Sequence, residues 1–200
     1  MPDLSERILA SARTLFYENG YYGTATHEIA KKAGTSESGI FRLFKNKYGV
    51  LMAVYNEAWK KVNSRVNAIL VSTDSPVESI LKIVNTIFSM YDDDRMTINF
   101  IIINTGNTDT LILERKEESI ISQENLHYIF LIQELCKKCF DRKETNGFLT
   151  PESLCEGIMA IIEGVLLGWY LSDNSKDYPY KIGKDKAINL IKSLFISLEV

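Results

Sequence analysis

An all-α protein is what this chain predicts, and three observations carry that expectation. Apolar residues recur at helical spacing in nearly every stretch long enough to judge, as in Ile8, Leu9, Ala12, Leu15 and Phe16. The punctuation between these stretches is that of helix ends, with Asn19-Gly20 and Ala33-Gly34 closing two runs and Ser75-Pro76 and Thr150-Pro151 opening two others. One stretch favours strand by propensity, Met96 to Asn104 with Ile98, Phe100, Ile101, Ile102 and Ile103. A lone strand would have no partner in so helical a chain, so a short, fully buried helix is expected there.

The first helix is expected to start near Ser5, an N-cap residue, and to end at Asn19-Gly20. Tyr21, Tyr22 and Gly23 make the following bend, with Thr24 or Thr26 as the next cap. Thr26 to Ala33 forms a short helix with Ile29, Ala30 and Ala33 on one side. Gly34 suits a left-handed position, and Thr35 and Ser36 can accept bonds from the amides opening the next helix. In that helix Ile40, Phe41 and Phe44 pack inward while Glu37, Ser38, Arg42 and Lys45 face outward. Two short helices joined by a glycine-containing turn make a helix-turn-helix, which places the start of its second helix in a major groove.

The segment from about Arg7 to Val54 resembles the DNA-binding domain of the tetracycline-repressor (TetR) family of bacterial regulators. The matching residues are Ile8, Ala12, Leu15, Phe16, Gly20-Tyr21, Thr24, Thr26, Ile29-Ala30, Ala33-Gly34, Ser36, Phe41, Phe44, Lys47 and Leu51, roughly the first quarter of the chain. The sequence departs from the family pattern at Phe41 for a common Tyr, at Leu43 for a frequent His, and at Gly49 within the usual Lys-Glu-x-Leu. Losing the Tyr hydroxyl removes one phosphate contact. The resemblance implies that Thr26, Thr35, Ser36, Ser38, Phe41 and Lys47 hold the sugar-phosphate backbone, and that Glu37, Gly39 and Arg42 lie where base edges are read. The residue chemistry agrees, since hydroxyls and amides at helix N-termini hold phosphates and Arg offers guanine a fork. Glu37 must accept from cytosine, hold Arg42, or reject wrong sites.

Asn46 can cap a long helix from Lys47 to about Val71, with Val50, Leu51, Val54, Tyr55, Ala58, Val62, Val66 and Ile69 inward. This sets the expected boundary: residues 1–46 form the helix-turn-helix domain and 47–200 a helical effector-binding and dimerisation domain. In the family the corresponding helix is a stiff lever between the two. Ser75-Pro76-Val77-Glu78 starts another helix, to about Tyr91, with Glu78 closing a capping box. Asp92-Asp93-Asp94 then reads as a solvated turn rather than a cation site, because successive residues point in different directions. A long helix is expected from about Thr110 to Arg142, then a loop at Glu144–Gly147 and a helix from Pro151 that is apolar nearly all round. A last helix runs from about Gly183 to Leu198.

Bulk composition sets the remaining bounds. Two hundred residues with 46% hydrophobic content suit one domain or two small ones. No secretory leader is legible and no apolar run approaches the ~18 residues of a membrane span, so a cytoplasmic, membrane-free protein is expected. The net charge is −3, but residues 1–60 hold eight basic against six acidic residues, a local +2 that leaves −5 for the rest. That asymmetry directs DNA to the N-terminal part. Cys136, Cys139 and Cys155 form an odd set without a secretory signal, best read as small buried hydrophobes. A Cys136-x-x-Cys139 metal or redox site lacks a second pair and any His at ligand spacing.

Catalytic motifs are missing: there is no phosphate-cradling glycine loop, no nucleophile elbow and no paired helical His. The reading is a DNA-binding transcriptional repressor that holds a palindromic operator as a homodimer and is released by a small, apolar effector. No cofactor and no metal are implied. Rivals are a regulator with no effector, or an all-helical carrier or enzyme. Phe100, His127, Phe130, Glu163 and Trp169 are the candidate effector contacts. Ile158, Ile162, Val165, Leu190, Ile191, Leu194, Phe195 and Leu198 are the candidate dimer interface, a four-helix seam built from the last two helices of each subunit.

Overall fold

The computed structural model describes residues 2–69, 75–102, 127–145, 148–179 and 181–195. Regular structure in them is helical, with one isolated antiparallel bridge between Thr145 and Phe195. In chain order the helices are α1 Leu4–Asn19, α2 Thr26–Ala33, α3 Glu37–Phe44, α4 Lys47–Asn67, α5 Pro76–Asp93, α6 over 95–102, α7 His127–Asp141, α8 Pro151–Asn174 and α9 Lys184–Lys192. The fold is an N-terminal helix-turn-helix domain followed by a C-terminal helical domain. The β-prone stretch is helical over its described part, with Ile98, Phe100 and Ile101 buried. A helix satisfies its own backbone groups, whereas a solitary buried strand would orphan them.

The described chain falls into two compact units. One holds the chain to Lys60 together with 96–102, and the other holds Lys61–Arg95 together with the described residues from His127 on.

In the first unit α1 packs on α2 and α2 on α3. Ile8, Ala12 and Phe16 of α1 are buried, as are Ile29, Ala30 and Ala33 of α2 and Ile40 of α3. The start of α1 corrects the expectation by two residues. Asp3, not Ser5, is the N-cap: its carboxylate accepts from Glu6 N at 2.8 Å and Glu6 returns the bond to Asp3 N at 3.0 Å. This reciprocal box satisfies two otherwise free amides, which a serine already at the second helical position could not do. Arg13 of α1 reaches Glu57 of α4 at 2.7 Å.

In the second unit α7 packs on α5 and α8, and α9 packs on α5 and α8. Ser75 caps α5, accepting from Glu78 N, with Pro76 at its first position, while Glu78 pairs with Lys82. Asp93 and Asp94 are held by Arg65 and Lys61 of α4 at 2.9 and 3.2 Å, so two members of the acidic run tie helices together. α4 stops at Asn67, short of the expected Val71, and 70–74 lie outside the described residues, as does the expected start of α7 before His127. Thr150 and Ser153 cap α8 reciprocally. By length and composition α8 could cross a membrane, contrary to the expectation of no such run, yet half of its most apolar window is buried in the protein. It is a core helix on one face.

Asp173 near the end of α8 gathers the loop that follows. It accepts from Tyr91 Oη at 2.8 Å and Lys181 Nζ at 3.0 Å and pairs with Arg95 at 3.1 Å. Burial alone would raise its pKa, but these hydrogen bonds and charges outweigh it and hold the carboxyl below its usual range. A depressed pKa gives stability that is present above the unfolded carboxyl pKa and is lost as pH falls through the folded value. Asp173→Asn should therefore lower the melting temperature at neutral pH and flatten its decline on acidification, measured by circular dichroism from pH 7 down to the acid transition.

Candidate nucleic-acid interface

The geometry of the reader pair follows from its turns. Gly20 closes α1 at φ 71°, and a Cβ on Gly23 would strike the carbonyl of Asn19, so this bend requires both glycines. Thr24 does not cap α2. Its buried hydroxyl lies 3.0 Å from Leu15 O and 2.8 Å from Gly20 O, where its one proton serves carbonyls at the end of α1. The α2 start is instead held by Glu28, which accepts from Ala25 N at 2.8 Å. Gly34 adopts the left-handed conformation, φ 65° and ψ 44°, and Thr35 N reaches back to Ala30 O at 2.9 Å. Ser36 then caps α3, accepting from Gly39 N at 3.3 Å, with Ser38 Oγ at 2.8 Å.

These constraints leave an outward face at the start of α3. Ser36, Glu37, Ser38 and Arg42 are exposed, and Thr26, Thr35 and Gly39 are half-buried beside them. Phe41, expected to pack on α2, is 45% exposed, and Ile40 alone of α3 is fully buried. The correction is geometric: Ile40 occupies the contact with α2, and its neighbour turns about 100° away, toward the same outward side as Arg42. Leu43 is also exposed.

Lys47, expected against phosphate, has a second occupation. Its ammonium donates to Tyr21 O and Thr24 O, both at 2.9 Å, and sits 4.3 Å from the Tyr21 ring centroid. It ties the head of α4 to the bend before α2.

Two features of the α3–α4 joint were not anticipated. Lys45 has φ 65° and ψ −45°, and Asn46 N bonds Phe44 O at 2.8 Å, a tight γ-turn. A Cβ on Gly49 would then strike the Phe44 carbonyl. The departure at Gly49 was visible in the sequence, but only the turn explains it. Asn46 caps α4 as expected, accepting from Gly49 N at 2.7 Å.

Among the described residues the candidate effector contacts divide between the two units. Phe100 is buried in the first unit. In the second, Phe130 is exposed, and His127 is exposed with Nε2 2.8 Å from Asn67 Oδ1. Trp169 is buried, packed at 5.2 Å from both Phe88 and Tyr91, and donates to Ile182 O. Glu163 is exposed on α8, with desolvation by its surroundings raising its carboxyl pKa.

The candidate interface residues also divide. Ile158, Ile162, Val165, Ile191 and Phe195 are buried within the chain's own fold, so their apolar surface is already covered. Leu190 is 49% exposed and Leu194 half-buried, whereas Leu198 lies outside the described residues. The surface α8 leaves uncovered runs through Ala160, Gly164 and Leu167, a helical stripe missed because the whole helix reads as apolar.

Residues 8–54 match the family model for bacterial regulatory proteins, tetR family. An uncharacterised HTH-type transcriptional regulator of Bacillus subtilis, YvkB, is 46% identical over 57 residues, which is 28% of this chain and 30% of that protein. Solved structures resemble nearly the whole chain. AibR, in complex with isovaleryl coenzyme A and operator DNA, superposes with a TM-score of 0.74 at 16% identity, covering 96% of this chain and 98% of that one. The transcriptional regulator FadR from Bacillus subtilis, in complex with stearoyl-CoA, gives 0.72 at 20% identity, covering 94% and 97%. At such identities the structures establish a shared fold.

Proposed function

We propose that this chain, whose residues 8–54 match the family model for bacterial regulatory proteins, tetR family, is a cytoplasmic, non-enzymatic transcriptional repressor that places α3 in the major groove of an operator. The observation that carries the reading is the outward face of α3, where Glu37, Ser38, Phe41 and Arg42 are exposed together beside the Ser36 cap. Thr26, Thr35, Ser36, Ser38 and Phe41 hold the backbone of the duplex, and Lys47 supports them from behind by fixing the bend at Tyr21–Thr24. Glu37, Gly39 and Arg42 meet base edges. Residues 1–46 serve as reader and 47–200 as effector and dimer domain.

A second copy joins through the uncovered surface of α8 and α9, at Ala160, Gly164, Leu167, Leu190 and Leu194, which sets two readers on a palindrome. The effector is a small molecule with an apolar part. The coenzyme A thioesters in the AibR and FadR complexes favour an acyl thioester of that class, and titrating an acyl-CoA series by native mass spectrometry tests this choice.

The DNA reading is tested with Arg42→Ala. Selection of operator fragments from random duplexes, followed by titration, should show a loss of about 1–3 kcal/mol confined to one base position in each half-site, with random DNA bound as before. Equal losses on selected and random DNA would place Arg42 on phosphate instead.

A further inference from the structure

Phe41 leaves an apolar ring on a side of α3 that is otherwise polar. At about 100° per residue, the exposed side of the helix runs through Glu37, Phe41, Ser38 and Arg42, away from the fully buried Ile40. Phe41 is 45% exposed between Glu37 and Ser38, and Leu43 lies about 160° round the helix, too far to form one patch with it. The charge around the ring is positive, since Arg42 and Lys45 are exposed beside it against the carboxylate of Glu37. Such a face suits a nucleic-acid duplex better than the apolar surface of a second protein chain.

A phenyl ring has neither donor nor acceptor, so DNA offers it only carbon to touch. Sugar carbons can support it, as its backbone contact requires, but these are alike at every nucleotide. In the major groove the base edges present ring nitrogens, carbonyl oxygens, amino groups and one apolar feature, the C5-methyl group of thymine. Resting on the placement of α3 in that groove, we propose that Phe41 is a specificity-determining residue whose ring covers the C5-methyl group of one thymine in each half-site. Phe41 and Arg42 are successive residues, about 1.5 Å apart along the helix axis, so this thymine lies beside the base that Arg42 meets. The contact takes a methyl group and part of the ring out of water together, which raises affinity about three- to tenfold for each thymine covered. 5-Methylcytosine carries the same methyl group at the same edge, whereas in unmodified DNA thymine is its source.

The test uses the full chain and the operator selected from random duplexes, with each thymine replaced in turn by deoxyuridine, which differs by that methyl group alone. Titration followed by fluorescence anisotropy should show a loss of about three- to tenfold at one thymine in each half-site and less than about twofold at the others. With Phe41→Ala the same replacement should change affinity by less than about twofold, so that ring and methyl group couple in a double-mutant cycle. Phe41→Leu, which keeps apolar carbon at the position, should retain part of the sensitivity. Both variants should melt with the wild type, since the side chain is exposed, and the wild-type scan stands without them. A 5-methylcytosine–guanine pair that binds more tightly there than thymine–adenine would assign the methyl group to modified cytosine and overturn the thymine contact. So would deoxyuridine tolerated at every thymine, or a sensitivity that persists in Phe41→Ala. If either occurs while Arg42→Ala still loses one base position, the placement of α3 stands and the Phe41 contact alone falls; a chain that selects no operator removes both.

Discussion

Ile191→Lys should unfold the C-terminal unit, whereas Leu190→Glu, one residue earlier on the same helix, should leave each chain folded and separate the subunits. The difference lies in what each side chain already touches. Ile191 is 0% exposed on α9, which packs on α5 and α8, so an ammonium there is taken out of water with no partner placed to receive it. Even with snorkelling, a buried unpaired charge and lost packing together cost about 3–5 kcal/mol or more, a large share of a typical domain's stability. Leu190 is 49% exposed, and a polar replacement at such a position shifts chain stability by about 0.5 kcal/mol or less. Melts followed by circular dichroism should fall by about 10 °C or lose cooperativity for Ile191→Lys and barely move for Leu190→Glu. Sedimentation at micromolar concentration should then show Leu190→Glu as a folded monomer. A Leu190→Glu protein that sediments as the wild type does would move the proposed interface off α9.

The same pair of residues marks how far the sequence could be read. Periodicity located α9 and its apolar stripe, because one buried side repeats every three or four residues whatever the side is buried against. It could not separate burial within the chain from burial against a second copy, since both demand the same aliphatic residues, and Ile191 and Leu190 were therefore placed on one interface. At α3 the legible part was the polar chemistry. Ser36 as cap, Gly34 in the left-handed turn and Arg42 facing outward depend on local backbone rules that carry over from three or four neighbouring residues. Of the two expectations for Phe41, packing on α2 fails although its hydrophobicity argues for the core, because its exposure follows from which single residue of a two-turn helix the α2 surface can accept. Lys47 was recognised as important on a matched position, but its bonds to Tyr21 O and Thr24 O span more than twenty residues, a distance no local pattern reports. The Asp3–Glu6 spacing carries the capping box in the sequence itself, and it outcompetes Ser5 because Glu6 can return the bond to the Asp3 amide.

Gly49→Ala should disable the reader without touching any residue that faces DNA. α3 must stop at Phe44 and α4 must begin at Lys47, and the chain reverses between them through a γ-turn centred on Lys45. That turn swings the Phe44 carbonyl onto the first turn of α4, where the position closest to it is occupied by the one residue with no side chain. A methyl group at Gly49 would overlap backbone oxygen, which has no rotamer by which to yield. The γ-turn must open, and the Asn46 carboxamide that caps α4 through Gly49 N is displaced with it. Together these losses should cost about 2–4 kcal/mol, or, where the chain adapts, swing α3 relative to α2 and misalign Arg42 by more than a base contact tolerates. Lys45→Gly separates the two causes. A non-glycine residue at φ 65° is held there against its preference, so glycine at 45 should raise the melting temperature by the equivalent of about 1 kcal/mol while leaving Gly49 unobstructed. Melting curves and operator titrations on both variants would decide the matter. A Gly49→Ala protein that melts and binds as the wild type does would show that the Phe44 carbonyl is free to move aside, and that Gly49 is not what fixes α3 against α4.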